Sequence, residues 1–108
     1  AIGAAIAEAI DRGARVVLLT GGTGIARRDV TADVVQERLE RQLPGFGELF
    51  RMLSFHEIGA AAMLSRAVAG TVRGALVAAL PGSTAAVRLA WERLLAPEMR
   101  HVVWELDR

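Results

Sequence analysis

The chain has 108 residues, 53% hydrophobic and 23% charged, so it is long enough for one core, too short for two, and outside the disordered class. Its basic residues are all arginine, 13 against 12 acidic ones for a net charge of +1, which leaves no electrostatic footprint for nucleic acid and no like-charge tail. Having no lysine excludes Schiff-base and pyridoxal anchors and the P-loop lysine, and having no cysteine excludes disulfides, thiolate nucleophiles, zinc fingers and iron–sulfur ligands.

Ile2, Ile6 and Ile10 recur every fourth residue and predict a first helix that stops at Gly13. The chain shows no secretory signal and opens directly in this helical pattern, so it reads as an N-terminally incomplete cytoplasmic domain spanning residues 1–108. Arg15 to Thr20, RVVLLT, is a short β-branched run of the kind buried on both faces in a parallel sheet. After the loop GGTGIARRDV, a helix capped by Thr31 is expected to reach about Gln42, with Val35, Leu39 and Leu43 as its apolar stripe. Pro44 and Gly45 punctuate. Phe46 to Ala69 is helical in pattern but interrupted near Ser54 and Gly59, which predicts two shorter helices ending at Gly70.

Ala75 to Leu80, ALVAAL, is the second strand, closed by Pro81-Gly82. It lies in the longest charge-free run, 14 residues from Gly74 to Val87, which is too short and too interrupted to cross a bilayer. Ser83 or Thr84 caps the next helix, which turns Val87, Ala90, Trp91 and Leu94 inward before Pro97 opens a last helix carrying Leu95, Met99, Val102, Val103 and Leu106. Two strands are too few for an open α/β sheet, so a right-handed strand–helix–strand unit is expected ahead of the first helix.

Both predicted strands run into turns of small residues and then helices: Gly21-Gly22-Thr23-Gly24 after the first, Pro81-Gly82-Ser83-Thr84 after the second. If the strands are parallel neighbours, the two turns meet at the carboxyl edge of the sheet, where glycine backbone N–H groups suit a phosphate. The alternative is that each turn merely connects. Arg27 stands where a dinucleotide fingerprint needs glycine, and six residues separate Gly24 from Thr31, so a nicotinamide cofactor is disfavoured. Arg27-Arg28-Asp29 instead places two cations beside a carboxylate able to hold magnesium or its waters against a phosphate, unless it is an ordinary surface ion pair with Asp29 helping to cap.

The remaining candidates are weaker. His56-Glu57 lacks the second histidine of a zinc-protease helix because position 60 is alanine, and His101 has no ligand partner nearby, so both histidines read as structural or surface residues. Ser65 has no nucleophile-elbow glycines, which leaves it a polar contact. Trp91 and Trp104 read as core or subunit contacts.

LLTGGTGIARRDVT at Leu18 to Thr31, PGFGELFRMLSFHEIG at Pro44 to Gly59, LSRAVAG at Leu64 to Gly70 and ALPGSTAAVRLAWERLLAPE at Ala79 to Glu98 together resemble the MoaB/Mog family of molybdenum cofactor biosynthesis proteins, and its MoaB branch more than its Mog branch. The resemblance runs nearly end to end. It implies a three-layer α/β/α fold with a mainly parallel sheet, homo-oligomers (trimers, or hexamers made of trimers), and binding of molybdopterin, which active members adenylylate with magnesium and ATP. Carried over by position, Gly21, Gly22, Thr23 and Gly24 would cradle phosphate, and Arg28 would accompany Asp29, the acidic residue of adenylyl transfer and of the magnesium site. Ser65, Arg66, Pro81, Gly82 and Ser83 would line the pterin site. Family members begin with a strand and a further acidic residue that have no counterpart here, and some members of the MoaB branch bind without catalysing. A noncatalytic binding or assembly protein is therefore the alternative expectation.

Overall fold

The computed structural model describes residues 1–108, with helices on both faces of a four-stranded sheet. Helix α1 (Ile2–Asp11) turns Ile2, Ile6 and Ile10 onto the sheet, as their spacing requires. There follow β1 (Val16–Thr20), α2 (Thr31–Arg38), the two-residue strand β2 (Arg41–Gln42), α3 (Pro44–Ile58), a 3₁₀ segment (Gly59–Leu64), β3 (Val68–Val72) and β4 (Ala75–Leu80). The chain closes with α4 (Thr84–Ala90), a π-helical turn (Trp91–Leu95) and α5 (Ala96–Leu106).

The strand order is β1-β4-β3-β2. β1 and β4 are parallel and in register from Val16 opposite Leu76 to Thr20 opposite Leu80. All six residues of β4 are buried, and this accounts for its alanines. Leu76, Ala78 and Leu80 pack under α3, α4 and the helical run beyond, while Val77 and Ala79 face α1 and α2, so the strand is covered from both sides and small side chains let both helical layers close on it. The three-layer α/β/α arrangement expected from the sequence is therefore present. Phe50, Leu76 and Leu80 are among the largest buried side chains, each contributing about 1.5–3 kcal/mol by leaving water.

The sheet is mixed because of two strands that the sequence pattern did not show. β3 and β4 form an antiparallel hairpin across Arg73 and Gly74, both at positive φ (+49° and +78°), the two-residue turn whose twist matches its strands. Gly70, expected to stop a helix, lies inside β3, where a Cβ would strike the carbonyl oxygen of Arg41 on β2. The helix expected to reach Gln42 ends at Arg38. Leu39 is extended, Glu40 donates its N–H to the Thr71 carbonyl at 2.8 Å and Leu43 to that of Ala69 at 2.9 Å, so strand pairing replaces the last helical turn. Thr31 does not cap α2 through its hydroxyl. Helix α3 runs unbroken through the buried Ser54, and both tryptophans are exposed, which corrects the inward placement of Trp91. β1 stands at one edge of the sheet with Leu18 partly exposed. No helix is long and apolar enough to cross a membrane.

Candidate functional site

The two small-residue turns meet. Because Thr20 and Leu80 are register partners in parallel strands, both turns leave the sheet at the same edge, and the Gly21 N–H donates to the Leu80 carbonyl at 2.8 Å. A Cβ on Gly82 would lie 3.3 Å from the Gly21 Cα, so the backbones are in contact. Gly21 and Gly22 have φ of +89° and +71°, in the left-handed region that glycine enters freely. At Gly22 the restriction is also steric, since any Cβ would collide with the Thr31 hydroxyl, and the Gly22 carbonyl accepts from the Ala32 N–H at 3.2 Å. Thr23 is buried. The Ser83 hydroxyl accepts the Ala86 N–H at 3.1 Å and so is occupied as the cap of α4.

Arg66 organises the first loop. Its Nε donates to the Gly24 carbonyl at 2.8 Å, its Nη2 to the Asp29 carbonyl at 2.6 Å and its Nη1 to the Asp33 carboxylate at 2.7 Å, while its backbone N–H donates to the Thr23 carbonyl at 2.7 Å. The guanidinium, expected from sequence to line a pterin site, thus spends one donor on each of three loop and helix groups. Asp33, four residues after Asp29 on the first turn of α2, was not among the expected site residues; the signal was the second acid in the run DVTAD. Asp29 Oδ2 accepts the Ala26 N–H at 3.0 Å and would lie 2.8 Å from a Cβ on Gly24, so this carboxylate closes the tip of the loop while Oδ1 takes no hydrogen bond. Arg27 and Arg28 are exposed and neither has an ion-pair partner.

Of the expected residues, only three line a cleft, and not the same one. Ser65 and Arg66 line a cleft of about 470 Å³ with Gln36, Gln42, Glu48, Arg51 and Met63. Arg51 shapes its floor by donating to the carbonyls of Ser65 at 3.3 Å and Ala67 at 3.1 Å, and the Ser65 hydroxyl accepts the Ala67 N–H at 3.3 Å. Gly82 borders a separate cleft of about 440 Å³ lined by Thr84, Val87, Arg88, Trp91 and Glu92. Neither cleft is lined by Gly21, Gly22, Thr23, Gly24, Arg28, Asp29, Pro81 or Ser83.

No three acidic or histidine side chains stand close enough to cage a metal ion. One carboxylate with a free oxygen matches the way magnesium is usually held, by one or two carboxylates with the rest of its shell from water and substrate phosphates. Asp29, with Oδ1 free, has the donor chemistry of one such carboxylate ligand.

Residues 1–101 match the family model described as a probable molybdopterin binding domain. The chain is 54% identical over 94 residues to molybdenum cofactor biosynthesis protein B of Staphylococcus aureus, covering 86% of this chain and 56% of that protein. It superposes on a crystal structure of a molybdenum cofactor biosynthesis protein B with a TM-score of 0.95 at 48% identity, covering 99% of this chain and 68% of the other. On the tungsten cofactor synthesizing protein MoaB from Pyrococcus furiosus the TM-score is 0.89 at 42% identity, covering 96% and 66%. The chain thus spans little more than half the length of the curated relatives it matches.

Proposed function

This chain belongs to the molybdopterin-binding domain family, and from that premise we propose that it acts in molybdenum cofactor biosynthesis, binding molybdopterin and adenylylating it with magnesium and ATP. The observation that carries the reading is the contact between Gly21 and Gly82, which supports a single phosphate cradle built from two turns at one sheet edge. In the reaction, a phosphate oxygen of molybdopterin attacks the α-phosphorus of ATP in line; the new P–O bond forms as the bond to pyrophosphate breaks, and pyrophosphate leaves. No covalent protein intermediate is needed, so the chain's contribution is positioning and charge neutralisation.

In this reading the backbone N–H groups of Gly22 to Gly24 hold phosphate. The unpaired Arg27 and Arg28 offset negative charge, and the free Oδ1 of Asp29 meets the magnesium that accompanies ATP. Ser65 and the cleft beside it receive the pterin, while Arg66 holds the loop in shape. The working form is a homo-oligomer, a trimer or a hexamer. The test is to incubate the full-length protein with molybdopterin, magnesium and ATP and look for adenylylated product; none from the wild type would defeat the enzymatic reading.

A binding-only role is favoured by one observation: the second carboxylate near Asp29, that of Asp33, is engaged by Arg66. Calorimetry showing pterin binding without turnover would select it.

A further inference from the structure

Helix α3 forms one wall of the 470 Å³ cleft and puts two opposite charges on it. Glu48 and Arg51 stand three residues apart, on one side of the helix, and both line the cleft. They do not neutralise each other. The Glu48 carboxylate pairs with no cation of the chain, and Arg51 spends only Nη1, on the carbonyls of Ser65 and Ala67, so Nε and Nη2 keep their donors. Gly47 makes room for Nη2, since a Cβ there would lie 2.8 Å from it. The cleft also has apolar wall from Leu43 and Met63, and its volume is that of an ordinary small-molecule site, about 300–1,000 Å³.

An unpaired carboxylate beside a guanidinium with spare donors complements a ring edge on which two N–H donors adjoin a carbonyl. The carboxylate accepts from both donors and the guanidinium donates to the oxygen. A pterin has this 2-amino-4-oxo edge, and guanine carries the same one. Resting on the proposed reading that the chain takes a pterin, we infer that Glu48 and Arg51 select the ring. Glu48 accepts from the 2-amino group and N3–H, and Arg51 donates to O4. Neither residue belongs to the two glycine turns, so recognition of the ring is separate from the hold on phosphate. The two are nevertheless adjacent, because Arg66 lines the same cleft and donates its backbone N–H to the Thr23 carbonyl at 2.7 Å.

The test titrates the full-length protein with 6-hydroxymethylpterin phosphate, followed by the probe's own fluorescence, and with the matching lumazine, in which oxygen replaces the 2-amino group. The wild type should prefer the pterin by about tenfold or more, because the lumazine loses a hydrogen bond to a charged group and sets an oxygen against the carboxylate. Glu48 is exposed, so Glu48→Gln should fold as the wild type does, and it should level the two ligands, since an amide can accept from the amine or donate to the oxygen. Arg51→Lys should weaken both ligands severalfold and keep the preference, because O4 is common to them. A wild type without preference, or a Glu48→Gln protein that retains it, overturns the role of Glu48. Unchanged affinities in Arg51→Lys overturn that of Arg51. Guanosine monophosphate bound as tightly as the pterin overturns the selection by giving the edge to a nucleotide. If the wild type adenylylates molybdopterin, each of these results leaves the proposed function standing, whereas a wild type that binds no pterin defeats both.

Discussion

The Arg66 guanidinium holds Asp29 by its backbone, donating from Nη2 to the Asp29 carbonyl at 2.6 Å, and so leaves the Asp29 side chain to close its own turn. With Nε on Gly24 and Nη1 on Asp33, one side chain spans the loop from its glycine entry to the helix that follows. The planar fork matters more than the charge, because lysine cannot reach three acceptors in those directions.

Arg66→Lys is therefore expected to cost about 1–3 kcal/mol in urea unfolding. Asp33→Asn should cost less, the carbonyl contacts surviving. Both should speed trypsin cleavage after the exposed Arg27 and Arg28, and the double variant should cost less than the two singles added, since they share one network. Unchanged cleavage at those two arginines would show that the loop does not need the strap.

Asp29→Asn keeps an oxygen that can accept the Ala26 N–H, so it should unfold within about 0.5 kcal/mol of the wild type. Loss of adenylylated product with pterin binding retained is the expected outcome. A variant as active as the wild type would remove Asp29 from the proposed chemistry.

What the sequence reveals and conceals has a physical pattern. α1, β1, β4 and the two glycine turns are legible because their signals are local: a four-residue isoleucine spacing, a β-branched run, and Gly or Pro-Gly at each strand end. β2 and β3 are not, because they exist through pairing. Val68–Val72 reads VAGTV, and its central glycine resembles a stop until Arg41 is seen packed across it; Arg41 and Gln42 have no β preference that outweighs the helical periodicity of Leu39 and Leu43. At the site, the expected convergence of the turns followed from parallel pairing of the two strong strands. The Arg66–Asp33 pair did not, since 33 residues of chain separate its members and nothing in either segment names the other.

Gly22 and Gly74 separate strain from collision. Both have left-handed φ, +71° and +78°, but a Cβ at Gly74 meets nothing within 4 Å while one at Gly22 runs into Thr31. Gly74→Ala should cost about 1–2 kcal/mol, the left-handed penalty alone. Gly22→Ala should cost more, because α2 must shift or Thr31 must leave its rotamer, and Gly22→Ala combined with Thr31→Ala should recover part of the difference. Equal costs in chemical denaturation would mean that the turn absorbs the methyl without moving the helix.

His101 makes stability depend on pH. On α5 its Nδ1 lies 2.9 Å from Glu98 and its Nε2 3.2 Å from Glu105, one turn to either side, and these hydrogen bonds, that to Glu98 foremost, raise its pKa above the usual 6.5. A raised pKa means that the folded chain holds the proton more tightly than the unfolded one. The stabilisation is therefore complete below the unfolded value and is lost as pH rises through the folded value. The group is exposed and Glu105 also meets Arg108 at 3.5 Å, so salt will weaken the effect. Melting temperature should accordingly fall between about pH 5.5 and pH 8 more steeply for the wild type than for His101→Gln, with the gap narrowing in high salt. Parallel melting curves for the two proteins across that range would show that the histidine carries no linked proton.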